Sequence, residues 1–196
     1  MNLMPYDELN TFREMATRYV NEPLTQSEKE QLRDDMWEYI EFLLIEAYVY
    51  GNVQAMDDLG LLDRDPKDFI SEDEMQRVIN EPVADKTYKD RIREYLDDEG
   101  STVEDFVRVA ETDATRVYNA GVVDGGKASG VPGVRKQWIT MDDDRVRSTH
   151  EPLNNLVVPL ESKFVTWDGD SAPYPGLFSD PANNCNCRCS IRLISE

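Results

Sequence analysis

"VEDFVRVAETDATRVYNAGVVDGGKASG" (residues 103–130), followed by "VPGVRKQWITM" (residues 131–141), is where the chain changes character. In the first stretch Phe106, Val109, Ala110, Ala114, Val117 and Tyr118 recur at helical spacing, and Ser101 or Thr102 is placed to cap the start. Such a stripe predicts a core-facing helix. "GVVDGGKASG" (121–130) reads as the end of that helix followed by a flexible link, because glycine disfavours a helix interior. Beyond Gly130 glycine and proline become frequent and short β-type runs appear: "RKQWITM" (135–141), "NLVVPL" (155–160), "SKFVTW" (162–167) and "RCSIRLI" (188–194). Turn-forming segments separate them: "DDDR", "NN", "DGD" and "APYPG". The expected fold class is α+β: a mostly α-helical N-terminal two-thirds, then a small, loop-rich, β-containing C-terminal module.

Upstream the helical texture continues. Residues 6–20 carry Leu9, Phe12, Met15, Ala16 and Tyr19 on one face. Thr25 or Ser27, with Glu28 or Glu30 following, marks a second helix start. From there Leu32, Met36, Tyr39, Ile40, Leu43, Leu44 and Ala47 give a long apolar face that Gly60 is placed to end. Gly51 reads as a weak point within it, costing about 1 kcal/mol relative to alanine. Ser71 with Glu74 signals a further start, Pro82 separates two short helices, and Tyr88, Ile92, Tyr95 and Leu96 line the second. No internal repeat or low-complexity segment is evident.

The chain has 196 residues, 40% of them hydrophobic and 31% charged, so it has enough apolar material for a core. Its net charge is −19. Residues 1–100 hold 26 acidic and 11 basic side chains, net −15, and residues 101–196 hold 14 and 10, net −4. The asymmetry suggests two parts: an acidic helical arm or docking region (1–100) and a C-terminal module (101–196). An acidic surface repels phosphate, so nucleic-acid contact is expected only if Arg135, Lys136, Arg145 and Arg147 cluster locally. No run of about 18 apolar residues suggests a membrane span. The first residues lack the basic and apolar regions of a signal peptide, and the odd cysteine count suits a reducing cytoplasm.

All three cysteines fall within "NNCNCRCS" (183–190), as Cys185, Cys187 and Cys189, and the chain has a single histidine, His150. Three thiols and one imidazole make the donor count of one closed tetrahedral zinc site. The alternative is a set of half-buried cysteines in a terminal strand with a hydrogen-bonding histidine. Asp142, Asp143 and Asp144 are either hard-cation ligands or a solvated turn. Catalysis by this run would need a partner acid or base, for which His150 and Glu111 are the candidates. On an extended strand Arg145 and Arg147 would share a face, where they could pair with Glu111 or the aspartates as internal ion pairs. No phosphate-cradling GxxxxGK[ST] loop, GxGxxG, HExxH or GxSxG occurs.

Taken in order, "RVAETDATRVYNAG", "KQWITMDDDRVRSTHEPLNNLVVPLESKF" and "YPGLFSDPANNCNCRCSIRLI" resemble the phage Mu F-like family of minor head proteins, over residues 105–194. Glu111, Arg116 and Asn119 match the family's helix. Trp138, Asp143, Arg145, Val146, Arg147, His150 and Leu153 match its central motif, and Phe164, Pro181, Asn186, Cys187, Arg188 and Cys189 match its end. Two departures stand out. Asn155 occupies the family's usual glycine and could still adopt a positive φ, and Cys185 is an addition. The resemblance implies a structural protein of a tailed phage or prophage, without enzymatic activity. It would associate with portal or capsid proteins, in the bacterial cytoplasm during assembly and then in the virion. Family modules also occur beside toxin domains, which raises an alternative: a nuclease-like enzyme using His150 with Arg145, Arg147 and Glu111. A second alternative is a DNA-contact module near the portal.

Overall fold

The long apolar face beginning at Leu32 forms one unbroken helix, α2 (Gln26–Asp58), in the computed structural model, which describes residues 6–195. Thr25 starts it with a capping box: its hydroxyl accepts from the Glu28 N–H at 3.3 Å, and the Glu28 carboxylate accepts from the Thr25 N–H at 2.8 Å. The helix stops just before Gly60, whose φ of +68° favours glycine. Around it pack α1 (Tyr6–Asn21), α3 (Glu72–Ile79) and above all α5 (Val103–Ala128), which runs alongside in the same direction, with α4 (Tyr88–Asp97) packed on α5. One buried apolar cluster runs from Leu9 and Phe12 through Met36, Leu43 and Tyr48 to Val117, Trp138 and Leu193.

The glycines behave differently from their sequence reading. Gly51 does not interrupt α2, and "GVVDGGK" is helix interior, not a link: α5 continues to Ala128 with Gly121, Gly125 and Gly126 buried. The cause is close packing of α2 on α5. A Cβ on Gly51 would lie 2.1 Å from the Tyr118 carbonyl oxygen, and one on Gly121 would lie 2.3 Å from the Tyr48 carbonyl oxygen. Each glycine thus faces the carbonyl one turn before the other, an approach no side chain permits. The chain leaves the helix only at Gly130, φ +69°.

The C-terminal part holds a three-stranded antiparallel sheet in the order β2 (Val157–Pro159), β1 (Arg135–Ile139), β5 (Ser190–Ile194), and a short hairpin of β3 (Phe164–Val165) with β4 (Ser171–Ala172). Trp138, fully buried, packs edge-on against Phe164 with centroids 5.0 Å apart, and against Phe178 at 5.9 Å. β5 is an edge strand. Its outward N–H groups at Ile191 and Leu193 donate to side chains, the Asn119 amide oxygen at 2.9 Å and the Asp58 carboxylate at 2.7 Å. An edge capped this way cannot template pairing with another chain. Asn155 takes φ +63°, as the asparagine reading allowed, and its N–H donates to the Trp138 carbonyl at 2.8 Å. Among the described residues no helix is long and apolar enough to cross a membrane.

Candidate functional site

His150 sits on the turn after Arg147, whose carbonyl accepts its N–H at 2.9 Å. Its ring is wedged between Trp138 (centroids 5.2 Å, nearly perpendicular) and Phe178 (5.3 Å). From the other side the chain leaves the short helix α6 (Pro181–Asn184), turns through Asn186 at φ +56°, and delivers Cys187 and Cys189 just ahead of β5. The two sulfurs lie 3.7 and 3.6 Å from the same nitrogen, His150 Nδ1. All three side chains are buried, and their donor atoms lie within 4.8 Å of one another. His150 Nε2 is buried without a hydrogen-bond partner.

The electrostatics favour charge on one of the two sulfurs. The Cys189 thiol hydrogen-bonds Cys187 and, helped by His150 against the cost of burial, holds the Cys187 thiol well below the usual range. Cys189 is correspondingly pushed up, by Cys187 first and by burial second. The Trp138 indole nitrogen, itself buried without a conventional partner, favours charge on the Cys189 sulfur. A pocket of about 10 Å³ opens over the three donors, lined also by Met141, Arg145, Val146, Arg147, Asn186 and Arg188. That volume is room for one water.

The other expected residues divide into three groups. Cys185 is exposed and stands apart from the three donors. Its carbonyl accepts from Arg147 at 2.6 Å, while the other guanidinium nitrogen of Arg147 donates to the Asn183 carbonyl at 2.9 Å. Asp143 is clamped by Arg188 through two bonds of 2.9 and 2.7 Å, and this guanidinium holds its carboxyl down at about 2. The left-handed turn at Asp142 (φ 53°) and the Asp143–Arg188 pair make the aspartate run a structural turn; among the described residues the only cluster suited to a metal is the histidine and two cysteines. Residues 145 and 147 lie in a loop, not a strand. Arg147 is bound to carbonyls, Arg145 is exposed beside Asp143, and Glu111 is exposed on α5.

The third group lies on α5 and builds the scaffold. Arg116, 1% exposed, donates to the carbonyls of Val78 at 2.7 Å and Ile79 at 3.2 Å, closing the C-terminal end of α3. Asn119 grips β5 at both ends of its amide: its oxygen takes the Ile191 N–H, and its nitrogen donates to the Cys189 carbonyl at 3.2 Å. It thereby fixes the backbone that carries one thiol. The Asn186 N–H donates to the Thr112 hydroxyl at 3.3 Å, anchoring the same turn to α5.

Several residues that matter here gave no signal beforehand. Asp113 is buried and paired with Arg91 at 2.6 and 2.7 Å; its position three before Arg116 was the available clue. Asp170 accepts from the N–H groups of Ser171, Ser179 and Asp180, the Ser179 hydroxyl and the Asn183 amide, organising the segment before the cysteines. Lys136 is fully buried with its ammonium unpartnered over Phe164. Of the four basic residues weighed for DNA contact, Lys136 is buried and Arg147 is bound to backbone carbonyls.

The model of a known family, Phage Mu protein F like protein, matches residues 69–192. The minor head protein GP7 of Bacillus phage SPP1 is 28% identical over 88 residues, covering 44% of this chain and 29% of that protein. The NAD(+)–arginine ADP-ribosyltransferase EFV of Enterococcus faecalis (strain ATCC 700802 / V583) is 25% identical over 154 residues, covering 62% of this chain and 31% of that protein. The chain therefore spans about a third of the length of these curated relatives. No solved structure matches it. The match begins at residue 69 and ends at residue 192, so it takes in α3 and α4 as well as the chain from α5 into the first part of β5. With well over half of its length matched in this way, the chain belongs to the Phage Mu protein F like family.

Proposed function

We propose that the protein acts in head morphogenesis of a tailed phage or prophage, as a minor structural component bound to portal or capsid proteins. It would reside in the bacterial cytoplasm during assembly and in the virion afterwards. The observation that carries this reading is the family match over residues 69–192 together with the likeness to a phage minor head protein. In this reading residues 1–100, net −15, form the docking region. The outer side of α2 leaves Glu28, Asp34, Asp35 and Glu38 exposed, a surface suited to a basic partner face.

The activity in the name of the enterococcal relative belongs to that protein, of which this chain covers 31%. A nuclease reading draws no support from the histidine either: its ring is 1% exposed, with Nδ1 facing two sulfurs and its faces packed on aromatic rings. Co-expression with the portal and major capsid proteins of the same phage gene cluster, followed by gradient sedimentation, tests the proposal. The chain should co-migrate with one of them at moderate salt. Failure to associate with either, and absence from purified heads, would refute it.

A further inference from the structure

We propose that His150, Cys187 and Cys189 hold one zinc ion, through Nδ1 and two thiolates, with the fourth position left to water. The inference stands apart from the head-assembly reading and rests on the donor geometry. A tetrahedral ion with bonds of about 2.3 Å to sulfur and about 2.05 Å to nitrogen sets sulfur and nitrogen about 3.6 Å apart. The observed separations are 3.7 and 3.6 Å. Hydrogen bonding accounts less well for this arrangement. A single ring nitrogen faces both sulfurs, and it can share a proton with one of them at a time. The second contact then brings two electron-rich atoms together in a buried site. An ion between them satisfies all three donors at once.

The surroundings fit the same assignment. The ring cannot swing away, being packed between Trp138 and Phe178. A ligating histidine usually donates its other N–H to a carboxylate or carbonyl. Here Nε2 has no partner, so aromatic packing supplies the orientation that such a bond would. Two soft thiolates and an imidazole select zinc over calcium or magnesium, which take oxygen. The one-water pocket above the donors supplies the fourth ligand, and the exposed Cys185 is left out. The ion would close a loop of 37 residues between His150 and Cys187, pinning the 147–153 turn to the start of β5. Metal binding of this kind is folding free energy for the segment it closes.

The test uses the full chain with any histidine tag removed. Zinc is measured by elemental mass spectrometry, and the apo-protein is refilled with cobalt. We expect about one zinc per chain and, with cobalt, the visible bands of a tetrahedral site plus a sulfur-to-cobalt charge-transfer band. Cys185→Ser should keep both signals, Cys187→Ser and Cys189→Ser should lose them, and chelation should lower the melting temperature of the wild type. The wild-type cobalt spectrum decides the matter even if a variant fails to fold. Wild type that takes up no metal and shows no sulfur-to-cobalt band would overturn the proposal, as would a Cys187–Cys189 disulfide in protein purified under reducing conditions. Loss of metal in folded Cys185→Ser would overturn the three-residue ligand set.

Discussion

Replacing Gly51 with alanine sets two physical effects against each other, and the structure says which wins. By helix propensity alone the substitution in the middle of α2 should stabilise by about 1 kcal/mol. By geometry it cannot fit, because the new methyl would lie 2.1 Å from the Tyr118 carbonyl oxygen and 2.9 Å from the Val122 nitrogen. These are backbone atoms of α5, so no side-chain rotation relieves the overlap, and relief requires the helices to separate by about 1 Å. A radial gap of that size forfeits a quarter to a half of each dispersion contact it opens. The contacts at risk include Tyr48, Ala55 and Val122, all essentially without solvent exposure. Overpacking in a close-fitting core costs about 1–3 kcal/mol and sometimes more. With backbone as the obstacle the gross cost should reach about 3–5 kcal/mol, leaving a net loss of about 2–4 kcal/mol. Urea unfolding followed by far-ultraviolet circular dichroism measures it as a lower midpoint. Gly121→Ala should behave alike, and the double variant should lose less than the sum, since the first separation makes room for the second methyl. A Gly51→Ala midpoint equal to or above wild type would refute the close-approach argument and restore the weak-point reading of the sequence.

Other sites give further tests. Asn119→Ala strips the Ile191 N–H and the Cys189 carbonyl of their partner and should cost about 2–4 kcal/mol in the same urea assay; a loss under about 1 kcal/mol would mean that β5 is held by its β1 pairing alone. Lys136, lowered from 10.5 to about 8 by burial first, charges at a cost in the folded state. Between those values the unfolded chain binds the extra proton, so stability rises with pH through that window and the full penalty applies below it. Lys136→Met should therefore stabilise by about 2–3 kcal/mol at neutral pH, and the advantage should fade as pH approaches the unfolded lysine value; a destabilised variant would show that the ammonium has an acceptor. Asp170 has the opposite sign: burial would raise it, but hydrogen bonds led by the Ser179 hydroxyl hold it at about 2, below its ordinary 3.8. Its contribution is present above the unfolded value and lost as pH falls through the folded one. Asp170→Asn should cost about 1–2 kcal/mol at neutral pH after allowance for solvent screening, and the gap to wild type should close in acid.

The parts of the fold governed by local chemistry were readable in the chain. Thr25 with Glu28, the Tyr88–Ile92–Leu96 face, the stop before Gly60 and the runs around Trp138 and Ile191 each state their structure within a few residues. What sequence reading missed depends on distant partners. Gly121, Gly125 and Gly126 look like a helix break because propensity penalises glycine, and only the neighbouring backbone of α2 makes glycine necessary there. Lys136 carries the most soluble of side chains into the core because β1 alternates and its register puts position 136 on the same inward side as Trp138. At the site, a residue count brings His150 and three cysteines to mind together. It takes the left-handed turn at Asn186 to turn Cys187 and Cys189 inward and leave Cys185 outside.

Helix α5 carries two interfaces of different chemistry. At about 100° per residue, Thr112, Arg116 and Asn119 fall within about 60° of one another on the helix surface, with Asp113 beside them. This polar stripe holds the α3 carbonyls, Arg91 of α4, the Asn186 turn and β5. Tyr118, Gly121, Val122 and Gly125 lie on roughly the opposite side, and that side meets α2. One helix therefore has two unlike interfaces. The polar one needs particular donors and acceptors at fixed positions, since a buried polar group left unpaired costs about 1–3 kcal/mol and a buried charge more. The other needs glycine at 51 and 121, where backbone meets backbone, and apolar surface around them. The first element bound to the polar stripe, α3, starts at residue 72, just inside the matched residues 69–192. Helices α1 and α2 lie outside the matched residues and still supply much of the single core.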